Sequence, residues 1–184
     1  FLCPSDGNAQ TNETEVSKIS YVACVGDCAM ANMSDRGNRN HRGLFCNGYI
    51  GGKVTFATIQ DGTSNTMAFS ETVCTRSGTE ESNVKAGVAY LTSVQTQAPA
   101  ACLALRGDGN NLKPTSKGNG YPVKGLRWMD ARIPISCFNA VLPPNCPSCS
   151  STIDSNNNPD RTRYAIVTAS SNHSGGVNVA MCDG

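Results

Sequence analysis

The residues able to do chemistry are scattered along the whole chain. Ten cysteines stand at Cys3, Cys24, Cys28, Cys46, Cys74, Cys102, Cys137, Cys146, Cys149 and Cys182, with two histidines, His41 and His173. An even cysteine count spread through a Ser/Thr/Asn-rich sequence reads as up to five disulfides made in an oxidising compartment, with the pairing left open. A structural zinc would need paired knuckles. Only Cys146-Pro-Ser-Cys149 has that spacing, and Cys24-x3-Cys28 is its nearest neighbour in kind. A thioredoxin-like redox centre needs its first cysteine at a helix start, whereas Cys146 follows Leu-Pro-Pro-Asn and precedes serines, so a structural disulfide is the expectation.

Ser64, His173 and Asp183 occur in an order that a hydrolase triad could use. However, Asp61-Gly-Thr-Ser64-Asn65 lacks the G-x-S-x-G elbow that would expose a nucleophile. The plainer reading is a turn, with Asp61 and Asn65 bonding local backbone N–H groups and Gly62 taking a positive φ. His173, flanked by Ser171, Asn172 and Ser174, is expected to bond a carbonyl across a hairpin or cap its loop. Asp154, Asn156, Asn158 and Asp160 alternate like the first half of a calcium loop. Pro159 and Ala165 then occupy the places where an EF-hand needs Gly and Glu, so a looser calcium site is the only cofactor expectation.

The elements that must position these groups are short. The 184 residues suit one domain, with Leu, Ile, Val and Phe sparse and Gly, Ser, Thr and Asn abundant. This composition predicts an α+β fold that is mostly antiparallel β, with long loops. A net charge of +1 gives no electrostatic case for nucleic acid or an anionic membrane. No apolar run is long enough to span a bilayer. Alternation predicts a strand over 18–26, and a second one with Val54, Phe56 and Thr58 on one face. The Asp61-Gly62 turn follows, and the patterned stretch 65–72 runs on from it. The pattern weakens over 75–125, a candidate insertion between core strands. Within it, 84–95 reads as strand or short helix and 98–107 as a helical turn ended by Gly107. Pro143-Pro144 ends any regular element. Two terminal strands, over 163–171 and 176–182, are joined by Asn172–Gly176.

Taken together, several blocks are recognisable: FLCPSD (1–6), YVACVGD (21–27), RGLF (42–45), VTFATIQDGTSNTMAFSE (54–71), RWMDAR (127–132), FNAVLPPNCPSC (138–149) and NHSGGVNVAMCDG (172–184). In this order they resemble the planctomycete-type, pilin-like family of exported proteins with a C-terminal H-x9-D-G signature. Here that signature is His173, Asp183 and Gly184, and the D-G-T-S-N block brings Asp61, Gly62, Ser64 and Asn65. The resemblance implies a pilin- or pseudopilin-like globular head. It also implies a hydrophobic N-terminal helix and a closing strand, neither of which is in the sequence given. It carries over no catalytic residue. The expectation is a secreted or surface-displayed structural subunit that partners copies of itself in a filament or pseudopilus, touching a membrane only through that helix. The alternative is an extracellular binding module for a glycan or surface ligand, assisted by calcium. It would use loops 106–118 and 154–160, with Tyr121 and Trp128 as stacking faces, although burial is the expected fate of the single Trp.

Overall fold

Short runs of small and β-branched residues build two four-stranded sheets in the computed structural model, which describes residues 1–10, 17–29, 43–45, 54–76, 78, 80–92, 99–151 and 165–184. The first sheet has the order β5 (Cys137–Phe138), β1 (Tyr21–Cys24), β2 (Met67–Glu71), β8 (Val179–Met181). The β1–β2 and β2–β8 pairs are antiparallel and the β1–β5 pair is parallel. The second has the order β4 (Tyr121–Pro122), β3 (Gly87–Tyr90), β6 (Ser148–Ser150), β7 (Ala165–Ile166), with β3–β6 as its parallel pair. Two short helices, α1 (Pro99–Leu103) and α2 (Ile133–Ser136), complete the regular elements. The mostly antiparallel α+β expectation is met at this coarse level. The two parallel pairs went unforeseen because they join distant residues, such as Ala23 with Cys137, where no hairpin turn signals them.

Alternation in β1 turns Val22 and Cys24 inward, onto Ile133 of α2, Phe138, and the 165–169 stretch through Ala165, Val167 and Ala169. Burying a Val, Ile or Phe here contributes about 1.5–3 kcal/mol each. Pro134 sits in the first turn of α2, where its missing N–H leaves no bond unmade, and all four α2 residues are buried. Lys124 is fully buried too. Its ammonium donates to the carbonyl oxygens of Lys85 (2.8 Å) and Thr168 (3.0 Å) and to Ser170 Oγ (3.0 Å).

Several expectations are corrected. Val54, Phe56 and Thr58 do not line a strand: Phe56–Thr58 is a 3-10 turn with Phe56 77% exposed. The Thr58 hydroxyl donates to Thr55 O and accepts from Thr55 N, closing the turn locally in competition with strand pairing. The terminal strands do not form a hairpin, because β7 lies in the second sheet and β8 edges the first. In the 75–125 stretch, residues 84–95 contain strand β3, and the helical turn closes at Leu103, short of Gly107. β3 pairs with β6, outside that stretch.

The disulfide expectation is only partly met. Among the described residues one bridge forms, Cys102–Cys149, with a Cα separation of 5.9 Å, tying α1 to β6. Cys3, Cys24, Cys74, Cys137, Cys146 and Cys182 are thiols, so Cys146 and Cys149 do not pair with each other. Cys28 is half-buried, and Cys46 lies outside the described residues. The buried thiols have found separate polar neighbours instead of one another. Cys74 Sγ meets Ser20 Oγ and Ile19 O, and Cys137 Sγ meets Ala131 O. Burial pushes the Cys74 thiol up to about 12 and the Cys137 thiol up to about 11, which keeps both protonated and unreactive. No helix among the described residues is long and apolar enough to cross a membrane.

Candidate functional site

Glu71 ends β2 on the wrong side for a core residue. Ala68 and Ser70 point inward, so alternation turns Phe69 and Glu71 to the outer face. Phe69 is exposed there, yet Glu71 is buried. Two segments fold over it.

The first is the N-terminal segment. Asp6 is buried and accepts hydrogen bonds from Cys74 N (2.7 Å) and Asn8 N (3.1 Å), while its own N–H bonds Cys3 O at 3.1 Å. Ser20 N donates to Phe1 O at 3.0 Å. The N-terminal segment is thereby tied to Ser20, just before β1, and to Cys74, beyond the end of β2, and Cys3 is buried.

The second is the stretch leading to β8. Asn145 adopts φ 59°, a left-handed conformation that Asn tolerates. Its N–H donates to Ala169 O and its Oδ1 accepts from Ser171 N, both at 2.9 Å. The Ser171 hydroxyl in turn accepts from His173 N at 3.1 Å and hydrogen-bonds Glu71. Asn178 clasps the carboxylate, its backbone N–H on Oε2 (3.1 Å) and its Nδ2 on Oε1 (2.8 Å).

These supports bring together three side chains from opposite parts of the sequence. His173 Nε2 lies 3.4 Å from Glu71 Oε1 and 3.6 Å from Cys3 Sγ, and the three atoms all lie within 4.8 Å of one another. The Glu71 side chain is 3% exposed and that of His173 is 40% exposed, so the cluster is buried on one side and open on the other. Tyr21, opposite Glu71 in register, also bonds Cys3. A cavity of about 10 Å³, room for about one water, adjoins the cluster and is lined by Cys3, Asp6, Glu71, Ser170 and Ser171 among others.

The electrostatics favour an ionised carboxylate. Burial works to raise the Glu71 pKa. The hydrogen bonds from Asn178 and Ser171 and the neighbouring His173 charge outweigh it, and Glu71 is held below the ordinary carboxylate value. Burial, followed by the Cys3 and Glu71 charges, raises Tyr21.

This is not the geometry of a nucleophilic triad. There the two ring nitrogens divide the work, one facing the carboxylate and the other the nucleophile. Here the same Nε2 faces both sulfur and carboxylate oxygen. What the arrangement offers is three lone-pair donors, S, N and O, aimed at one region.

The Ser64–His173–Asp183 order assembles nothing either. Cys182 N donates to Thr63 O (3.1 Å) and Thr66 O (2.9 Å), placing Asp183-Gly184 beside Ser64 at the start of β2, while His173 lies at its end. The turn reading of Asp61–Asn65 holds in outline. Gly62 has φ +84°, but Asn65 Nδ2 donates to Asp61 O (2.9 Å) where an accepted N–H bond was expected. The His173 imidazole does not bond a carbonyl across a hairpin, because there is no hairpin. Tyr121 is buried, whereas Trp128 is 58% exposed, against the expectation of a buried Trp. The calcium candidates Asp154, Asn156, Asn158 and Asp160 lie outside the described residues.

Sequence reasoning missed Cys3 and Glu71 as partners of His173. The available signal was a carboxylate closing an alternating strand in phase with its outer face. A second signal was that Cys3, Glu71 and His173 each belong to a different recognisable block: 1–6, 54–71 and 172–184.

Compared with known proteins, the chain matches the family model described as "Protein of unknown function (DUF1559)" over residues 1–184. The chain belongs to this family. The DUF1559 match takes in all three residues of the cluster together with both sheets. No curated protein and no solved structure matches the chain.

Proposed function

We propose that this DUF1559 chain is the globular head of an exported, pilin-like structural subunit that works by associating with copies of itself. The observation that carries the reading is the outer face of the first sheet. Phe45 and Phe69 pack there at a tilt with ring centroids 4.8 Å apart and are 40% and 42% exposed, and Ala180 of the edge strand β8, the register partner of Phe69, is exposed beside them. An exposed apolar face beside the edge strand of the described sheet is what a self-associating sheet presents. The near-neutral charge lets like copies approach, and the Cys102–Cys149 bridge suits an oxidising exterior.

Electron microscopy and light scattering of material isolated from the producing cells test it. The expected result is ordered oligomers or filaments that Phe69→Asp disperses. A monomer at every concentration, unchanged by that substitution, contradicts it.

The exposure of Trp128 and its neighbour Met129 favours a second reading, a ligand-binding head. Quenching of the single tryptophan's fluorescence by oligosaccharides separates the two.

A further inference from the structure

We propose that Cys3, Glu71 and His173 form a binding site for one divalent transition-metal ion, zinc by ligand chemistry, with a fourth position open to water. This site is independent of whether the chain assembles.

Three observations carry the inference. The first is distance. Zinc bonds of about 2.0–2.2 Å to nitrogen and oxygen and about 2.3 Å to sulfur, at tetrahedral angles, put N and O about 3.4 Å apart and N and S about 3.6 Å apart. The cluster has 3.4 Å for Nε2–Oε1 and 3.6 Å for Nε2–Sγ before any ion is added.

The second is donor balance. A deprotonated sulfur, a neutral imidazole nitrogen and a carboxylate oxygen each offer a lone pair that one cation can take. A single cation placed among the three serves all of them.

The third is the supporting shell. Glu71 is oriented by Asn178 and Ser171, and Ser171 also fixes the His173 backbone. Outer hydrogen bonds of this kind hold metal ligands in place. Sulfur and imidazole select zinc or its neighbours over calcium and magnesium. The exposed flank of His173 and the adjoining water-sized cavity leave room for the fourth ligand. Binding fastens the N-terminal segment and the stretch before β8 onto the end of β2, so metal affinity adds to folding stability.

The test uses the whole chain, freed of metal and kept under inert gas without reductant. It is titrated with Zn2+ by calorimetry and with Co2+ by absorption. One equivalent of each should bind, with a thiolate-to-cobalt charge-transfer band and tetrahedral visible bands. Cys3→Ser should abolish the charge-transfer band, and Glu71→Gln and His173→Ala should each weaken binding at least about tenfold. Cys146→Ala and Cys182→Ala, outside the cluster, should leave binding unchanged. Glu71 also holds Asn178, so His173→Ala, at a half-open position, is the variant that keeps the fold and decides the matter. The proposal is overturned by failure to bind one equivalent, or by binding that survives Cys3→Ser and His173→Ala. Loss of binding through Cys146→Ala or Cys182→Ala would also overturn it.

Discussion

Lys124 and the Cys3–Glu71–His173 cluster both take polar side chains out of water, and they do it differently. Lys124 is fully buried with its three donors on three acceptors, Lys85 O, Thr168 O and Ser170 Oγ, so the chain satisfies itself. At the end of β2, Cys3, Glu71 and His173 bring three lone-pair atoms to one point with a single shared nitrogen between them. The Lys124 site is complete as folded, whereas the cluster is arranged for something the chain does not contain. Burial alone therefore does not mark a functional site. What distinguishes the proposed site is that S, N and O atoms from three distant residues converge on one region.

The largest expected effect strengthens the closed side of the comparison. The Cys102–Cys149 bridge spans a sequence separation of 47 and ties α1 to β6 of the second sheet. In the chain-entropy account a loop of that size is worth about 4 kcal/mol. Reducing agent should lower the thermal midpoint by roughly 10 °C, and Cys102→Ala should mimic it. Metal uptake at the far cluster should survive. An unchanged midpoint would remove the bridge from the account.

Next comes Lys124 itself. Lys124→Met leaves the Thr168 carbonyl without its buried donor and should cost about 2–3 kcal/mol in urea denaturation. A neutral or stabilising result would mean that the polar interior is not self-satisfying after all.

The pH dependence separates the buried groups by sign. Burial pulls Lys124 down to about 7. From there upward the unfolded chain holds a proton that the folded chain has released. Stability should therefore rise with pH, by at most about 1.4 kcal/mol per unit. Burial pushes Cys74 up to about 12 and Cys137 up to about 11. Above about pH 9 the unfolded thiols ionise first, and stability falls. Denaturation midpoints across the alkaline range should pass through a maximum near pH 9, and Lys124→Met should flatten the rising limb.

The smallest effect belongs to the open cluster. Without metal, His173→Ala should change stability by under about 1 kcal/mol, because its side chain is 40% exposed. With zinc present, the gap between variant and parent should widen with zinc concentration. A gap that ignores zinc would make His173 an ordinary surface residue.

What the sequence revealed and what it hid follow from distance along the chain. β1 and β8 were legible because alternation is local, and Gly62 was legible because a tight turn needs a positive φ. The 3-10 turn at Phe56–Thr58 was misread as strand because a threonine hydroxyl competed with pairing. The parallel pairs, the separation of β7 from β8 and the sulfur pairing depend on which distant segments meet, and spacing does not encode that. His173 drew attention at once. Its partners lie 102 and 170 residues away along the chain, beyond any local pattern.

A crystal structure of zinc-loaded protein, with anomalous scattering recorded at the zinc edge, tests the central claim most directly. The account predicts one peak within about 2.0–2.3 Å of Cys3 Sγ, Glu71 Oε1 and His173 Nε2 together. A peak at other cysteines, or Cys3 found in a disulfide with the cluster dispersed, would contradict it.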